Sequence, residues 1–434
     1  MAAQNWILAA AVAGLLAGCA EREVILTGDR EELRGQAPQI ELPSETRAIR
    51  LAAQSSNADW THRIGTPRYR TAHPALSSAP TLAWSASIGE GDKRRQRIST
   101  DPVVADGRIF TVDSTAILTA TSTSGARLWS LDMTPEGDRA TDASGGGLAV
   151  AGGKLFVSNG FGRLLAVNPA TGDILWEQRL GATGNSTPTV YGDLVYLVSG
   201  DDLGWALDVN TGRIEWQLSS TPDVNNLQVP SAPAVSEKFV VFAFGSGEVQ
   251  TAFRKGGLRF WDAGIQGERL GRALSTISDI SGDPVIVGDT VFVANHSGRL
   301  VALDLNTGER KWTLEEGALS PVWPAGDSVF LVNEQNQLVR VDANSGTRIW
   351  AKTLPDFTKD RPRRQVRRYA HFGPIMAGGQ LIVASSDGVM RSFDPTSGDL
   401  LRTTEIPGGA TSNPVVAGRT LYVVNKKGDL LAFR

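Results

Sequence analysis

The chain of 434 residues holds a single cysteine, Cys19, which excludes an internal disulfide framework and any multi-cysteine metal or iron–sulfur site. Only four histidines are present (His62, His73, His296 and His371), and they are scattered rather than spaced as a ligand set. Neither sign of charge dominates: 43 basic residues face 46 acidic ones, for a net charge of −3, so a globally basic nucleic-acid binder is excluded while local patches are allowed. After the N-terminus no apolar run approaches the length of a membrane span. What the chain does have is 47 glycines, 11 tryptophans and 41% hydrophobic residues, enough for a large folded core.

Residues 2–18 carry no charged side chain, and Ile7 to Ala17 form a nearly unbroken apolar run. Eleven helical residues reach only about 17 Å, short of a ~30 Å hydrocarbon core, so the run reads as an export signal rather than a span. It ends in Leu16-Ala17-Gly18-Cys19, which resembles the lipobox of bacterial lipoproteins. The resemblance implies cleavage before Cys19 and lipid attachment at its thiol. Several acyl chains would anchor the mature protein firmly where one would not. The stretch ahead of the run lacks Lys and Arg, a departure from the usual signal. Ala20 after the cysteine, by the same resemblance, favours sorting to the outer membrane, on its periplasmic face. The expected organisation is a signal peptide over 1–18, a lipidated cysteine and polar tether over 19–58 with a short helix near Glu45–Gln54, and one domain over 59–434.

The dominant signal is internal repetition. Thr-Gly-Asp-Ile-Leu-Trp at 171–176 returns as Thr-Gly-Arg-Ile-Glu-Trp at 211–216, Thr-Gly-Glu-Arg-Lys-Trp at 307–312, Ser-Gly-Thr-Arg-Ile-Trp at 345–350 and Ser-Gly-Ala-Arg-Leu-Trp at 124–129. Gly-Gly-Leu-Arg-Phe-Trp at 256–261 is irregular, and Ser-Gly-Asp-Leu-Leu-Arg at 397–402 puts Arg402 in the tryptophan position. Upstream of each copy stand short β-branched and aromatic strands separated by Gly-Asp or Gly-Gly turns. Four strands per ~44 residues make one propeller blade. Eight upstream halves begin near Asp101, Gly146, Thr187, Ser231, Gly282, Ser320, Phe372 and Ser412. The last copy stops at Arg434 without an outer strand, while Thr81-Leu-Ala-Trp84-Ser is a tryptophan strand without a blade. Pairing the two predicts an all-β, eight-bladed propeller of four-stranded antiparallel blades, closed by the N-terminal strand. Seven blades is the alternative if 256–261 is not a true copy. The aspartates before the turns (Asp208, Asp304, Asp342, Asp394, with Asn168 in a fifth copy) recur too regularly to be catalytic and are expected to cap turns.

The pattern Ala-x-Asp-x-x-Thr-Gly-x-x-x-Trp, as at 206–216, resembles the repeat of pyrroloquinoline-quinone-type propellers over roughly 81–434. Lipobox plus a single eight-bladed propeller resembles the BamB family, the lipoprotein subunits of the outer-membrane barrel assembly machine. That resemblance implies a non-enzymatic scaffold, without cofactor or metal, that binds the periplasmic POTRA domains of the barrel subunit, helps deliver outer-membrane proteins and contacts unfolded ones transiently. The family's contact stretches map here onto Asn225-Asn-Leu227-Gln228 and onto Asp279-Ile-Ser281, so partner contact falls to Leu227, Gln228, Asp279 and Ser281. Leu227 and Asp279 keep the family residue; Gln228 stands for an arginine and Ser281 for an aspartate. Two readings from other classes stay open: a quinoprotein-like enzyme or sensor binding a quinone or metal in the central funnel, and a structural lipoprotein of the cell envelope. No nucleophile–base pair or hard-oxygen cage favours the enzyme.

Two basic segments remain. Lys359 to Arg368 holds six basic residues against one acidic, and Lys93-Arg-Arg-Gln-Arg97 adds four more. Both fall between blades and are expected on one rim. Arg361, Arg363, Arg364, Arg367 and Arg368 are candidate contacts for an anionic partner.

Overall fold

A computed structural model describes residues 44–67, 73–184, 186–221, 231–265, 267 and 280–434. Cys19, the signal and the first part of the tether lie outside the described residues, as do Leu227, Gln228 and Asp279. The described residues belong to one unit, Leu42–Arg434. It contains eight four-stranded antiparallel sheets. The first blade is β2 (Val103–Ala105), β3 (Arg108–Val112), β4 (Ile117–Ser122) and β5 (Arg127–Asp132). The other seven repeat this meander, and their innermost strands are β6 (Gly146–Ala151), β10 (Thr189–Tyr191), β14 (Ala234–Val235), β18 (Gly282–Val287), β22 (Trp323–Ala325), β26 (His371–Ala377) and β30 (Val415–Ala417). The irregular copy at 256–261 is a true blade, so the ring has eight.

The eighth sheet is composite, as expected from the two open ends. β1 (Leu82–Ser87) pairs antiparallel with β32 (Asp429–Phe433), matching Leu82 to Phe433 and Ser87 to Asp429. Thr81 and Arg434 exchange backbone hydrogen bonds of 2.8 and 2.9 Å beside them. No outer edge is left unmade in that blade.

The repeat's tryptophan and glycine are two halves of one contact. The indole of Trp176 lies on the turn of the following blade, and its Nε1 donates to the Val209 carbonyl at 3.1 Å. A Cβ on Gly212 would meet that ring at 2.5 Å, and its φ is +68°, so both space and backbone demand glycine there. Trp129, Trp216, Trp261 and Trp312 make the same bond to Pro169, Arg254, Leu305 and Ala343. These five seams are thereby joined by an apolar face plus one satisfied donor. Arg402 breaks the motif because its following blade has no Thr-Gly turn: the paired segments at Thr81–Leu82 and Phe433–Arg434 occupy that place. Its strand, β29 (Leu400–Glu405), is exposed almost throughout.

The turn aspartates cap as expected. Asp208 accepts from the Thr211 hydroxyl at 2.9 Å and from the amides of Thr211 and Asn210. These bonds, the Thr211 hydroxyl first, hold its carboxyl below the usual aspartate range. Asp304, Asp342 and Asp394 accept from the amides two and three residues on, and Asn168 from Ala170.

The expected helix at 45–54 is not there. Residues 44–60 form a strap whose backbone partners lie on the ring, which is why local helical bonds do not form. Ser44 bridges Trp350 on the outer strand β25 (Arg348–Thr353), with Glu45 N donating to Ile349 O at 3.2 Å. The strap thus adds to that strand's free edge. Ile349 is 2% exposed, whereas Leu128 and Leu175, at the same place in two other outer strands, are 49% exposed. Farther on, Asn57 O accepts from Gly418 N at 2.7 Å, and Ser55 pairs with Pro74.

Arg340 fixes the start of the strap. It faces Trp350, where five other blades place an alanine against the tryptophan (Ala120, Ala166, Ala206, Ala302, Ala432). Its fully buried guanidinium donates to the carbonyls of Arg47, Ala48, Pro395 and Thr396 and to the Ser328 hydroxyl. It therefore takes the Pro395 carbonyl that a tryptophan Nε1 would use elsewhere. Arg47 adds ion pairs to Asp342 (2.7 Å) and Asp327 (2.9 Å).

Candidate interaction face

In a four-stranded meander, the first–second and third–fourth turns lie at one end of the blade. The second–third turns and the links between blades lie at the other. The strap meets the first kind: Gly326, Gly378 and Gly418 are first–second turn residues, and the strap and its return at 73–76 pass against them. The links between blades, which carry both basic segments, therefore form the opposite face.

The middle of the ring is filled by the strap's own residues. Trp60 exchanges two 2.8 Å backbone bonds with Val104 on β2 and stacks on Trp323 of β22 at 6.3 Å. Thr61 O accepts from Val150 N of β6, and His62 Nε2 accepts from Val190 N of β10. Arg63 pairs with Asp101 ahead of β2 (3.1 Å) and with Asp283 of β18 (3.3 Å). Four consecutive residues thus touch the innermost strands of five blades, which only a central position permits. The two carboxylates are themselves held: Asp101 by the Asn413 backbone N–H (2.7 Å) and side-chain amide (2.8 Å), and Asp283 by Ala232 N (2.9 Å).

Beyond this plug, on the linker face, opens a cavity of about 420 Å³. Arg63 and Asp101 belong to its wall; Arg97, Ser281, Leu319, His371, Phe372 and Asn413 also line it. Ser281 is half-buried and donates to Ala318 O at 2.6 Å. His371 donates from Nε2 to Pro355 O (2.8 Å) and accepts at Nδ1 from Ser385 (2.6 Å), a neutral tautomer, and burial lowers its pKa. Among the described residues, no group of three or more His, Cys, Asp and Glu converges as a metal cage.

Of the candidate partner contacts, only Ser281 is placed; it lines this cavity, beside the start of β18. The anionic-contact arginines divide. Arg361, Arg363, Arg364 and Arg367 are exposed, whereas Arg368 is bound to Asp356 and donates to Glu334 O at 2.9 Å. Sequence reasoning missed Trp60, Arg63 and Arg340. Arg340 carried a signal, since it replaces the small residue opposite the repeat tryptophan. Trp60 stood outside the repeat, where only its size marked it.

His62 gives the plug a pH dependence. Burial pushes its pKa down from 6.5 to about 3. The unfolded chain takes up a proton there below pH 6.5 while the folded chain does not until about pH 3, so stability falls as pH drops through that window. Between pH 7 and 5 the loss is about 2 kcal/mol from His62. His371 and His296 shift in the same direction and add to it. Denaturant midpoints at the two pH values check this; His62→Gln, which keeps an acceptor for Val190 N, should flatten the dependence.

A family model described as outer membrane protein assembly factor BamB matches residues 114–352, more than half of the chain. The chain belongs to the BamB family. The assembly factor BamB of Shewanella oneidensis is 26% identical over 361 residues, covering 81% of this chain and 88% of the relative. Among solved structures, BamB from Moraxella catarrhalis superposes with a TM-score of 0.68 at 18% identity, over 82% of this chain and all of that one. The fold is also shared with an enzyme: quinohemoprotein alcohol dehydrogenase from Comamonas testosteroni gives a TM-score of 0.64 at 15% identity, over 88% and 81% of the two chains. The likeness to the solved structures is one of architecture; the family is assigned by the sequence match. Family membership makes this chain a scaffold for outer-membrane protein assembly.

Proposed function

We propose that this chain docks on the periplasmic POTRA region of the barrel subunit and holds that machinery in place for incoming outer-membrane proteins. The observation that carries the reading is the family match across the propeller repeats. The docking footprint is the linker face near blades four and five, where Leu227, Gln228, Asp279 and Ser281 would act together. Two described neighbours of these segments support a shared footprint: Ser231 and Ser281 both stand just ahead of innermost strands, β14 and β18, of adjacent blades. Cys19 would carry the lipid and residues 20–43 the remaining tether, keeping the propeller at the periplasmic face of the outer membrane. Unfolded substrates would be met only transiently, at exposed outer strands such as those carrying Leu128 and Leu175.

Affinity isolation from solubilised outer membrane tests the reading, with the barrel subunit expected to co-purify. Leu227→Asp should weaken that association more than Asp279→Ala, because a central leucine contributes through desolvation while a rim carboxylate mainly sets association rate. The effect of Asp279→Ala should shrink as salt rises. If the folded double variant retains the barrel subunit as well as the parent, the footprint lies elsewhere.

A further inference from the structure

We infer that the linker face carries, across the ring from the docking footprint, a surface that seats on an anionic phospholipid bilayer. Its main part is the loop between the sixth and seventh blades. Phe357 bridges Arg368 at its base, Thr358 N donates to Arg367 O at 2.9 Å, and Tyr369 N to Asp356 O at 2.7 Å. The Arg368 guanidinium lies 5.8 Å over the Phe357 ring and is bound to Asp356, so one arginine of the run is spent on holding the loop. A short 3-10 turn at Pro362–Arg364 shapes the tip. Outward from this base stand Lys359, Arg361, Arg363, Arg364 and Arg367, all exposed and in no ion pair among the described residues.

The second basic segment belongs to the same rim. Ser386 N donates to Ala370 O (2.8 Å), Lys426 Nζ to Ser386 O (2.5 Å), and Asp92 N to Lys426 O (2.8 Å). Those bonds link the loop to the segment at 93–97 without a break. Arg94, Arg95 and Lys427 add exposed cations there that make no ion pair among the described residues, while Lys93 and Arg97 pair with Glu90 and Asp92. In a chain of net charge −3, this arc leaves the rest of the surface net negative. The molecule is therefore polarised, and its field turns this arc toward an anionic plane.

An independent observation points to a bilayer. Val366, set among the loop arginines, is 85% exposed, the most exposed of the large hydrophobic side chains among the described residues. An apolar tip inside a cationic ring gains nothing in water, but it can enter the boundary between headgroups and acyl chains while the arginines bind phosphates. The cations are exposed along the loop and line no cavity among the described residues, which suits a soft surface of repeating phosphates better than one fixed pocket. The inference does not depend on the POTRA reading: the arc lies at the junctions flanking blades seven and eight, opposite those flanking blade four.

The test uses the mature-length chain with Cys19→Ser, so that no acyl chain masks the contact, and flotation with vesicles. Binding is expected to vesicles containing 30 mol% phosphatidylglycerol and not to pure phosphatidylcholine, and to fall steeply between 50 and 500 mM NaCl. Replacing Arg361, Arg363, Arg364 and Arg367 together by glutamine should lower partitioning by about a hundredfold or more. Val366→Ser should lower it a few-fold, and Lys154→Gln, on the strap face, should leave it unchanged. Unaltered thermal unfolding of these surface variants shows that the fold is intact. Equal flotation of the parent and the fourfold variant overturns the inference. So does a fourfold variant that floats normally yet loses the barrel subunit on affinity isolation, which would make the arc a protein-docking surface.

Discussion

Arg63→Ala is expected to destabilise the propeller by about 3–5 kcal/mol, the cost of stranding buried charge when its partner is removed. Asp101 and Asp283 come from opposite parts of the ring, and the Arg63 guanidinium at 3.1 and 3.3 Å is the cation between them. Without it, two carboxylates would share a buried centre. The expected result is a markedly lower denaturant midpoint, improved by acidification relative to the parent, because protonating one carboxylate relieves the repulsion. A double variant, Arg63→Ala with Asp283→Asn, should regain part of the loss: the amide oxygen still accepts from Ala232 N, and one charge is gone. If the single variant unfolds at the parent's midpoint, Arg63 does not hold the plug.

The second large effect concerns closure. A chain beginning at residue 79 should fold less stably than the full protein, having lost the strap but kept β1. A chain beginning at residue 90 should fare much worse. It forfeits the whole pairing of β1 with β32, and with it Trp84, whose ring sits 6.0 Å from Tyr422 and 3.1 Å from where a Cβ on Gly125 would be. Trp84→Ala alone should cost about 3 kcal/mol, the lower end for a large aromatic, because this tryptophan is only half-buried. Denaturant titrations rank the chains, and identical midpoints for the starts at 79 and 90 would show that β1 contributes nothing.

The ring was legible because each blade repeats the same physical solution. A tryptophan, a glycine with no room for a Cβ, and a capping aspartate recur at one spacing, and the two incomplete ends announce the shared blade. Even the missing tryptophan at Arg402 follows from that arrangement. The strap was not legible. Residues 44–63 have no period, since they bond to turns and strands spread around the ring and each contact is made once. Arg63 and Arg340 look like surface residues in the chain, as arginines usually are; their burial becomes intelligible only when Asp101, Asp283 and the carbonyls at 395 and 396 converge on them. Of the partner contacts, the residues that remain from the family pattern could be named, but among the described residues only Ser281 can be placed.

The bonds between Thr81 and Arg434 join positions 353 apart in the chain. Synthesis delivers residue 81 long before residue 434. Seven blades consist of strands that follow one another directly, so each can form soon after its own ~44 residues exist. The eighth cannot close until residues 429–434 are free, and until then β1 is a strand with a vacant edge and no partner. Pairings this distant are the slow ones in folding. Maturation of this protein should therefore have two clocks: a fast one set by local hairpins, and a late one that starts only once residues 429–434 have been made, during which the nearly complete ring is most exposed to proteases and to its own unpaired edge.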